Sequence, residues 1–416
     1  MSPTRRAAWT IGAIALAAIV VPVPLAVLAV VAVLVVVIVD AFAVRGRVEV
    51  VRTSAPVVSR GVASRVAVEL ARPVPGSVVI RQPVPMTFAL TPDESTGRLD
   101  GEVVPRKRGR YELPPPVVRR IGPLGMGRWD RRASLGPVEL VVFPDLVNAR
   151  RLVMRVRRGR FGSAGRQARG PLGLGTEFEL IREYAPDDDI RQVNWLATAR
   201  AGRPMSNQYR VEQDRDLICL VDTGRLMTTP VGDRTRLDVA LDVMTALGLV
   251  ADELGDRFGV LAFGNDVSRS MSPRRNGGEA AVRTCFDLEA TGVDSDFELA
   301  FRQVGGAKRA MVVVVTDLLD ESAAATLLDA VPILTKRHAV VVASVRDPAL
   351  VAIAHRDPAN TVDAYEAVVA ATVAAARERT SARLRGAGAA VVEASPDALP
   401  AACVEAYLSL KARARL

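Results

Sequence analysis

The sequence predicts a multi-domain chain: an N-terminal transmembrane helical hairpin, a small β-sandwich, then a doubly wound α/β domain. Three observations lead there. No charged residue occurs from Trp9 to Val39. Residues 46–145 carry short Val-rich runs punctuated by Pro, Gly and Asp at roughly ten-residue spacing, the pattern of a sandwich. From Asp216 onward, apolar runs such as MVVVVTD and AVVVASV alternate with helical stretches, which suits parallel strands buried on both faces.

The apolar start is too long for one helix. Trp9–Val39 at 1.5 Å per residue would run roughly 46 Å, beyond the ~30 Å of a hydrocarbon core. Pro22 and Pro24 would also break it near the middle. Two short spans, Ala7–Val21 and Leu25–Val44, joined by a Pro turn fit better than one kinked span or a cleaved signal peptide. Arg5 and Arg6 precede the pair, and Arg45 and Arg47 follow it. Positive flanks at both ends predict an inner-membrane hairpin with both ends, and the soluble domains, cytoplasmic.

The hairpin occupies 1–45 and the β-rich section 46–145. A basic helix and Gly/Arg linker follow at 146–176. The net charge of +9 is uneven: residues 45–170 hold 25 Arg or Lys against 10 Asp or Glu, and residues 171–416 hold 28 against 35. That division suits a membrane-proximal basic section, with Arg106–Tyr111, Arg119 and Arg120 available to anionic lipid or forming a solvated strand face. No nucleic-acid partner is expected. Binding of that kind through 45–170 would weaken steeply with salt.

A segment dense in carboxylates and arginines spans 177–215, ahead of the α/β domain at 216–416. Strands are expected at Asp216–Asp222, Arg257–Phe263, Arg309–Thr316, Ala339–Val345 and Ala389–Val392. Asp222 and Asp317 then fall just past strand C-terminal ends, where open α/β sheets place ligands. In the 177–215 segment the simplest reading is an Arg–carboxylate lattice bracing the sheet, with Tyr184 and Trp195 packed beneath. The alternative is a docking surface, since Trp, Tyr and Arg are enriched among interface hot spots. Cys219, Cys285 and Cys403 lack metal-ligand spacing and read as buried small hydrophobes. There is neither a G-x-S-x-G elbow nor a phosphate loop, and His338 reads as a structural hydrogen-bonding group.

The residues Glu177, Arg182, Glu183, Tyr184, Asp188, Asp189, Arg191, Asn194, Trp195, Ala199 and Arg200, then Tyr209 and Asp222, resemble a known family. So do Ser295-Asp296, Thr316-Asp317, Arg337-His338 and Asp347-Pro348. It is domain-of-unknown-function family 58, membrane-anchored bacterial proteins whose C-terminal half resembles a von Willebrand factor A domain. The resemblance implies a non-enzymatic scaffold acting with a MoxR-type AAA+ ATPase in assembly or maturation of envelope or protein complexes. Von Willebrand A domains hold a divalent metal through Asp-x-Ser-x-Ser plus a Thr and an Asp. Here the run is Asp222-Thr223-Gly224-Arg225-Leu226, without either serine. Asp222, Thr223 and Asp317 remain, enough at most for a weakly held Mg²⁺, so no cofactor is expected. The competing functional reading is a metal-dependent hydrolase at the Asp222/Asp317 rim.

Overall fold

The structure is a computed structural model. It describes the chain apart from residues 75, 159–171, 186–187, 189, 211–214, 307–308, 319–323 and 413–416; at 172–180, 191 and 208–210 only the backbone is described. The chain is multi-domain, with an N-terminal apolar helix and several β-sheets and helices, and it divides into two compact units, Met1–Phe143 and Pro144–Leu416.

In the first unit α1 (Arg5–Ala17) is capped by Thr4, whose side chain accepts from Ala7 N. Then α2 (Val23–Ala43) begins with Pro24 in its first turn. Proline suits that place because the first N–H groups of a helix have no intrahelical acceptor. The Pro pair therefore starts a second helix, and α1 and α2 pack together. By length and composition α2 can cross a membrane; 21 residues give about 31 Å.

The sequence reading passed over Asp40, in the last turn of α2. Its carboxylate is buried and accepts the backbone N–H of Leu124 (2.9 Å), Met126 (2.8 Å) and Gly127 (2.9 Å). The same turn holds the start of α1: Thr4 Oγ1 donates to Gly125 O at 2.6 Å, and Ser2–Pro3 pairs antiparallel with Gly127–Arg128. Contact is backbone to backbone. A Cβ on Gly127 would lie 2.3 Å from Val37 O, and one on Gly122 2.3 Å from the Asp40 carboxyl. Phe42 meets Trp129 edge-on, with centroids 5.5 Å apart.

Three sheets make up the rest of this unit. One orders Ser2–Pro3, Gly127–Arg132, Val117–Ile121, Val78–Arg81 and Glu94–Thr96. The others are Val50–Ser54, Ser64–Leu70, Arg98–Pro105, Phe88–Thr91 and Val57–Ser59, Val138–Phe143, Gly109–Leu113. Residues such as Val68, Ile80, Leu99, Leu113 and Val142 join all three around one core, because alternation sends every second side chain inward.

The second unit opens with α3 (Leu146–Arg157), the expected basic amphipathic helix. It buries Ala149 and Leu152, packs on a later helix and pins Arg157 bidentately to Glu253 at 2.7 and 2.8 Å. The expected linker after it falls largely outside the described residues. A two-stranded ribbon, Leu172–Glu183 with Met205–Arg210, encloses α4 (Trp195–Ala201).

Six strands then form the main sheet: β1 (Asp216–Asp222), β2 (Arg257–Phe263), β3 (Val267–Arg274), β4 (Met311–Val315), β5 (Ala339–Val345) and β6 (Ala390–Ala394). Their spatial order is β3-β2-β1-β4-β5-β6, all parallel except β3. Helices alternate with them: α5 (Arg236–Leu254), α6 (Gly277–Cys285), α7 (Phe297–Gly305), α8 (Ala325–Thr335), α9 (Pro348–Ala354), α10 (Thr361–Gly386) and α11 (Leu399–Ala412). Ile218, Leu220, Val312, Val314, Val340 and Val342 pack on α7 and α8. The intervening Leu217, Cys219 and Val221 point to the other face, where α5 and α11 lie. The strand β3 was not expected. Its run VSRSMSPR carries Pro273 and two arginines and is mostly exposed, as an edge strand tolerates and a buried one does not.

The three cysteines are buried on β1, α6 and α11. Burial raises the Cys219 thiol well above its usual range and pushes Cys403 up to about 12. His338 Nδ1 accepts from Ala310 N at 3.3 Å. Burial, then the charge of Arg337, lowers its pKa, so it stays neutral.

Candidate functional site

The order of the strands reverses between β1 and β4, so the loops leaving their C-terminal ends diverge there, at the place where open α/β sheets put ligands. Asp222 closes β1, and Thr316 and Asp317 follow β4. Each carboxylate is already engaged. Asp222 Oδ1 accepts from Gly224 N (2.8 Å) and from Ser295 Oγ, while Oδ2 accepts from Thr316 Oγ1 at 2.5 Å. Burial raises the Asp222 pKa; these hydrogen bonds oppose the rise, and the nearby charge of Asp317 adds to it.

Asp317 sits in a ring of cations. Its Oδ1 forms ion pairs with Arg236, at the start of α5, and with Arg377 of α10 at 3.1 Å. Arg377 also donates to Ser344 Oγ (2.9 Å) and Val345 O (2.6 Å) and lies 3.7 Å from Glu393. Arg236, Arg377 and Asp317 are all buried. Burial lowers the Arg236 pKa, partly offset by Asp317. Asp317 Oδ2 and Thr223 Oγ1 are buried without a hydrogen-bond partner.

The residues present do not fit a resident metal. Among the described residues no group of three or more His, Cys, Asp or Glu is placed to hold an ion. A hard cation needs several oxygen ligands, yet guanidinium groups occupy the Asp317 side. A Cβ at position 224 would fall 2.0 Å from Ser295 Oγ, so a serine there would have to displace the hydroxyl that donates to Asp222. Arg225 turns away to pair with Asp294 at 3.1 Å. Ser295, Arg236 and Arg377 are what sequence reasoning missed at the rim. Ser295-Asp296 was visible as a motif, but nothing in the spacing of two helical arginines points to a carboxylate elsewhere in the chain.

The acidic–Arg segment forms a separate construction. Asp188 organises it: Arg182 donates to Oδ1 (2.5 Å) and Ala185 N to Oδ2 (2.8 Å), while Tyr184 Oη donates to Asp188 O (3.0 Å). Asn194 caps α4 by accepting from Ala197 N and bonds Asn207 on the returning strand. Glu183 lies 3.6 Å from Arg203, and Arg200 is exposed. Asp189 lies outside the described residues, as do the side chains of Glu177 and Arg191.

These hydrogen bonds hold the ribbon and α4 together. None of them reaches the main sheet the segment was expected to brace, and Trp195 is not packed beneath it. Trp195 is 70% exposed, and Leu196 (67%) and Ile190 (70%) are exposed beside it in sequence. The reason is local: Trp195 and Leu196 open a two-turn helix whose cap, Asn194, is fixed to the ribbon, and the first turn points outward.

The chain belongs to a family described as "Protein of unknown function DUF58", which it matches over residues 180–390. That range takes in most of the ribbon, α4 and both rim carboxylates. It is similar to uncharacterized proteins of Mycobacterium bovis and of two Mycobacterium tuberculosis strains, each 26% identical over 183 residues, 42% of this chain and 56% of theirs. The chain spans about half the length of these curated relatives. Among solved structures, a cohesin module from a Clostridium perfringens family 33 glycoside hydrolase covers 23% of this chain and 96% of that chain, at 9% identity and a TM-score of 0.15. A likeness that slight carries no argument.

Proposed function

We propose that this protein is a membrane-anchored, non-enzymatic docking scaffold. Its α/β domain is von Willebrand factor A-like, and its partner is a MoxR-type AAA+ ATPase working on envelope or protein complexes. One observation carries the docking role: Ile190, Trp195 and Leu196 stand exposed on a segment in which Arg182, Asp188, Asn194 and Asn207 hydrogen-bond to one another or to its backbone. Large apolar groups on a rigid, hydrogen-bonded support are what interface hot spots require. The strand order with an antiparallel edge supports the von Willebrand A-like reading. The common seat of α1's start and α2's end on the 122–127 turn supports a helical hairpin in the inner membrane with both ends cytoplasmic. Basic residues such as Arg5, Arg6, Arg45 and Arg47 then meet anionic lipid. The hydrolase reading finds no favouring observation, because Asp222 and Asp317 are both held by protein partners.

A photo-crosslinking residue at position 196, in native membranes, tests this. The expected adduct contains an AAA+ ATPase and is lost on Trp195→Ala at unchanged membrane yield. Adducts that never contain such an ATPase overturn the partner.

A further inference from the structure

We infer that Arg236 and Arg377 are built-in cations that replace a divalent metal at the β1–β4 rim, making the rim a closed latch between α5, α10 and the sheet. The inference stands apart from the docking role.

The argument begins with charge. Two carboxylates, Asp222 and Asp317, are buried at adjoining strand ends and feel one another's charge. Such a pair needs a compensating cation, because an isolated buried carboxylate is costly and like charges repel. Most of the oxygens a hard cation would use are gathered at the rim: Asp222, Ser295 Oγ, Thr316 Oγ1, Thr223 Oγ1 and Asp317. Ser295 Oγ and Thr316 Oγ1 each donate to Asp222, and Asp317 Oδ1 faces two guanidinium groups instead of an ion.

Arginine suits the exchange. It stays charged when buried and is less strongly hydrated than an ammonium. It also comes attached to the elements it joins. Arg236 is the first residue of α5, held there by the Thr235–Asp238 capping box. Arg377 lies mid-way along α10 and reaches the strand β5 through Ser344 Oγ and Val345 O. The latch therefore ties α5 and α10 to the β4 and β5 ends, with no exchangeable ion. Two oxygens, Asp317 Oδ2 and Thr223 Oγ1, keep unused valence. They are the donors a metal would recover if an arginine were withdrawn.

Mn²⁺ titration of the detergent-purified full chain, followed by the electron paramagnetic resonance signal of the free ion and by melting, tests this. Wild type is expected to leave the free signal and the melting temperature unchanged, with or without a chelator. Arg236→Met is expected to bind about one equivalent with at least about tenfold higher affinity than wild type and to regain part of its lost melting temperature on adding Mn²⁺. Arg236→Lys, which keeps a cation, gains no binding. Stoichiometric Mn²⁺ binding by wild type overturns the inference, and so does a folded Arg236→Met that gains none. If Arg236→Met yields no folded protein, Asp317→Asn and Arg236→Met/Asp317→Asn decide: the double variant melts higher than Asp317→Asn if the pair is the latch, and no higher if it is not.

Discussion

Substituting Asp256 should reveal how the far end of the main sheet is locked. Asp256 closes the α5–β2 connection, and its carboxylate is fully buried. It accepts from Tyr407 Oη and Lys411 Nζ, both on α11, and from Arg215 N at 3.1 Å, just ahead of β1. Asp256→Asn keeps the volume and an oxygen for Arg215 N but deprives Lys411, whose side chain is 5% exposed, of its buried carboxylate. Breaking a buried ion pair from one side costs about 3–5 kcal/mol. The lower end applies here, because Lys411 is one residue from the last residue of α11 and the helix end can fray toward water. At about 2–4 °C per kcal/mol for a domain of this size, the melting temperature falls by about 6–12 °C. Tyr407→Phe removes one neutral donor and costs about 1 kcal/mol. The decisive comparison is the cycle with Lys411→Met in detergent-purified chain. Asp256→Asn/Lys411→Met should be more stable than the sum of the single losses by at least about 1 kcal/mol. Additive losses within about 0.5 kcal/mol would refute the lock, since independent sites behave that way.

Two other outcomes follow from the described geometry. Gly127→Val should prevent α2 from seating, because even a Cβ falls 2.3 Å from Val37 O and 2.6 Å from Ala41 N; limited proteolysis of membranes should cut the 122–127 turn in the variant and spare it in wild type. Stability should fall above pH 9. The Cys403 thiol, with a reference value of 9.0, titrates at about 12 when folded, so between those values the unfolded chain sheds a proton that the native chain keeps. At 1.36 kcal/mol per unit this group alone removes up to roughly 4 kcal/mol by pH 12, and Cys219 and Tyr407, also pushed up by burial, act in the same direction. Denaturant midpoints measured across that range check it, and a stability that rises above pH 9 would contradict it.

Much of the main sheet could be read from the chain because buried parallel strands leave an unmixed signal. MVVVV and AVVVASV have no competing pattern, and β1, β2 and β5 lie where expected. Asp222 and Asp317 were legible for the same reason: a carboxylate ending an apolar run marks a strand terminus. The edge strand β3 was not, since an exposed, proline-bearing strand carries the composition of a loop. The partners of the rim carboxylates were also hidden. Arg236 precedes Asp317 by a long stretch of chain, and only folding brings them together. Asp40 escaped attention because one acid at the end of an apolar run reads as the boundary of the span, not as the acceptor for a distant turn. For Trp195, residue type suggested burial, whereas orientation is set by the capped helix that carries it.

The pairing of Ser2–Pro3 with Gly127–Arg128 also has a consequence for timing. During synthesis residues 2–3 must wait for strand Gly127–Arg132 before their edge position exists. Closing so distant a contact is slow compared with forming a helix. In that interval α1 and α2 have each other but not the turn that receives Thr4 and Asp40, so their seating is provisional until the β unit is complete. Seating of the apolar segment is thereby coupled to the β unit: a chain that fails to build these sheets cannot fix α1 and α2.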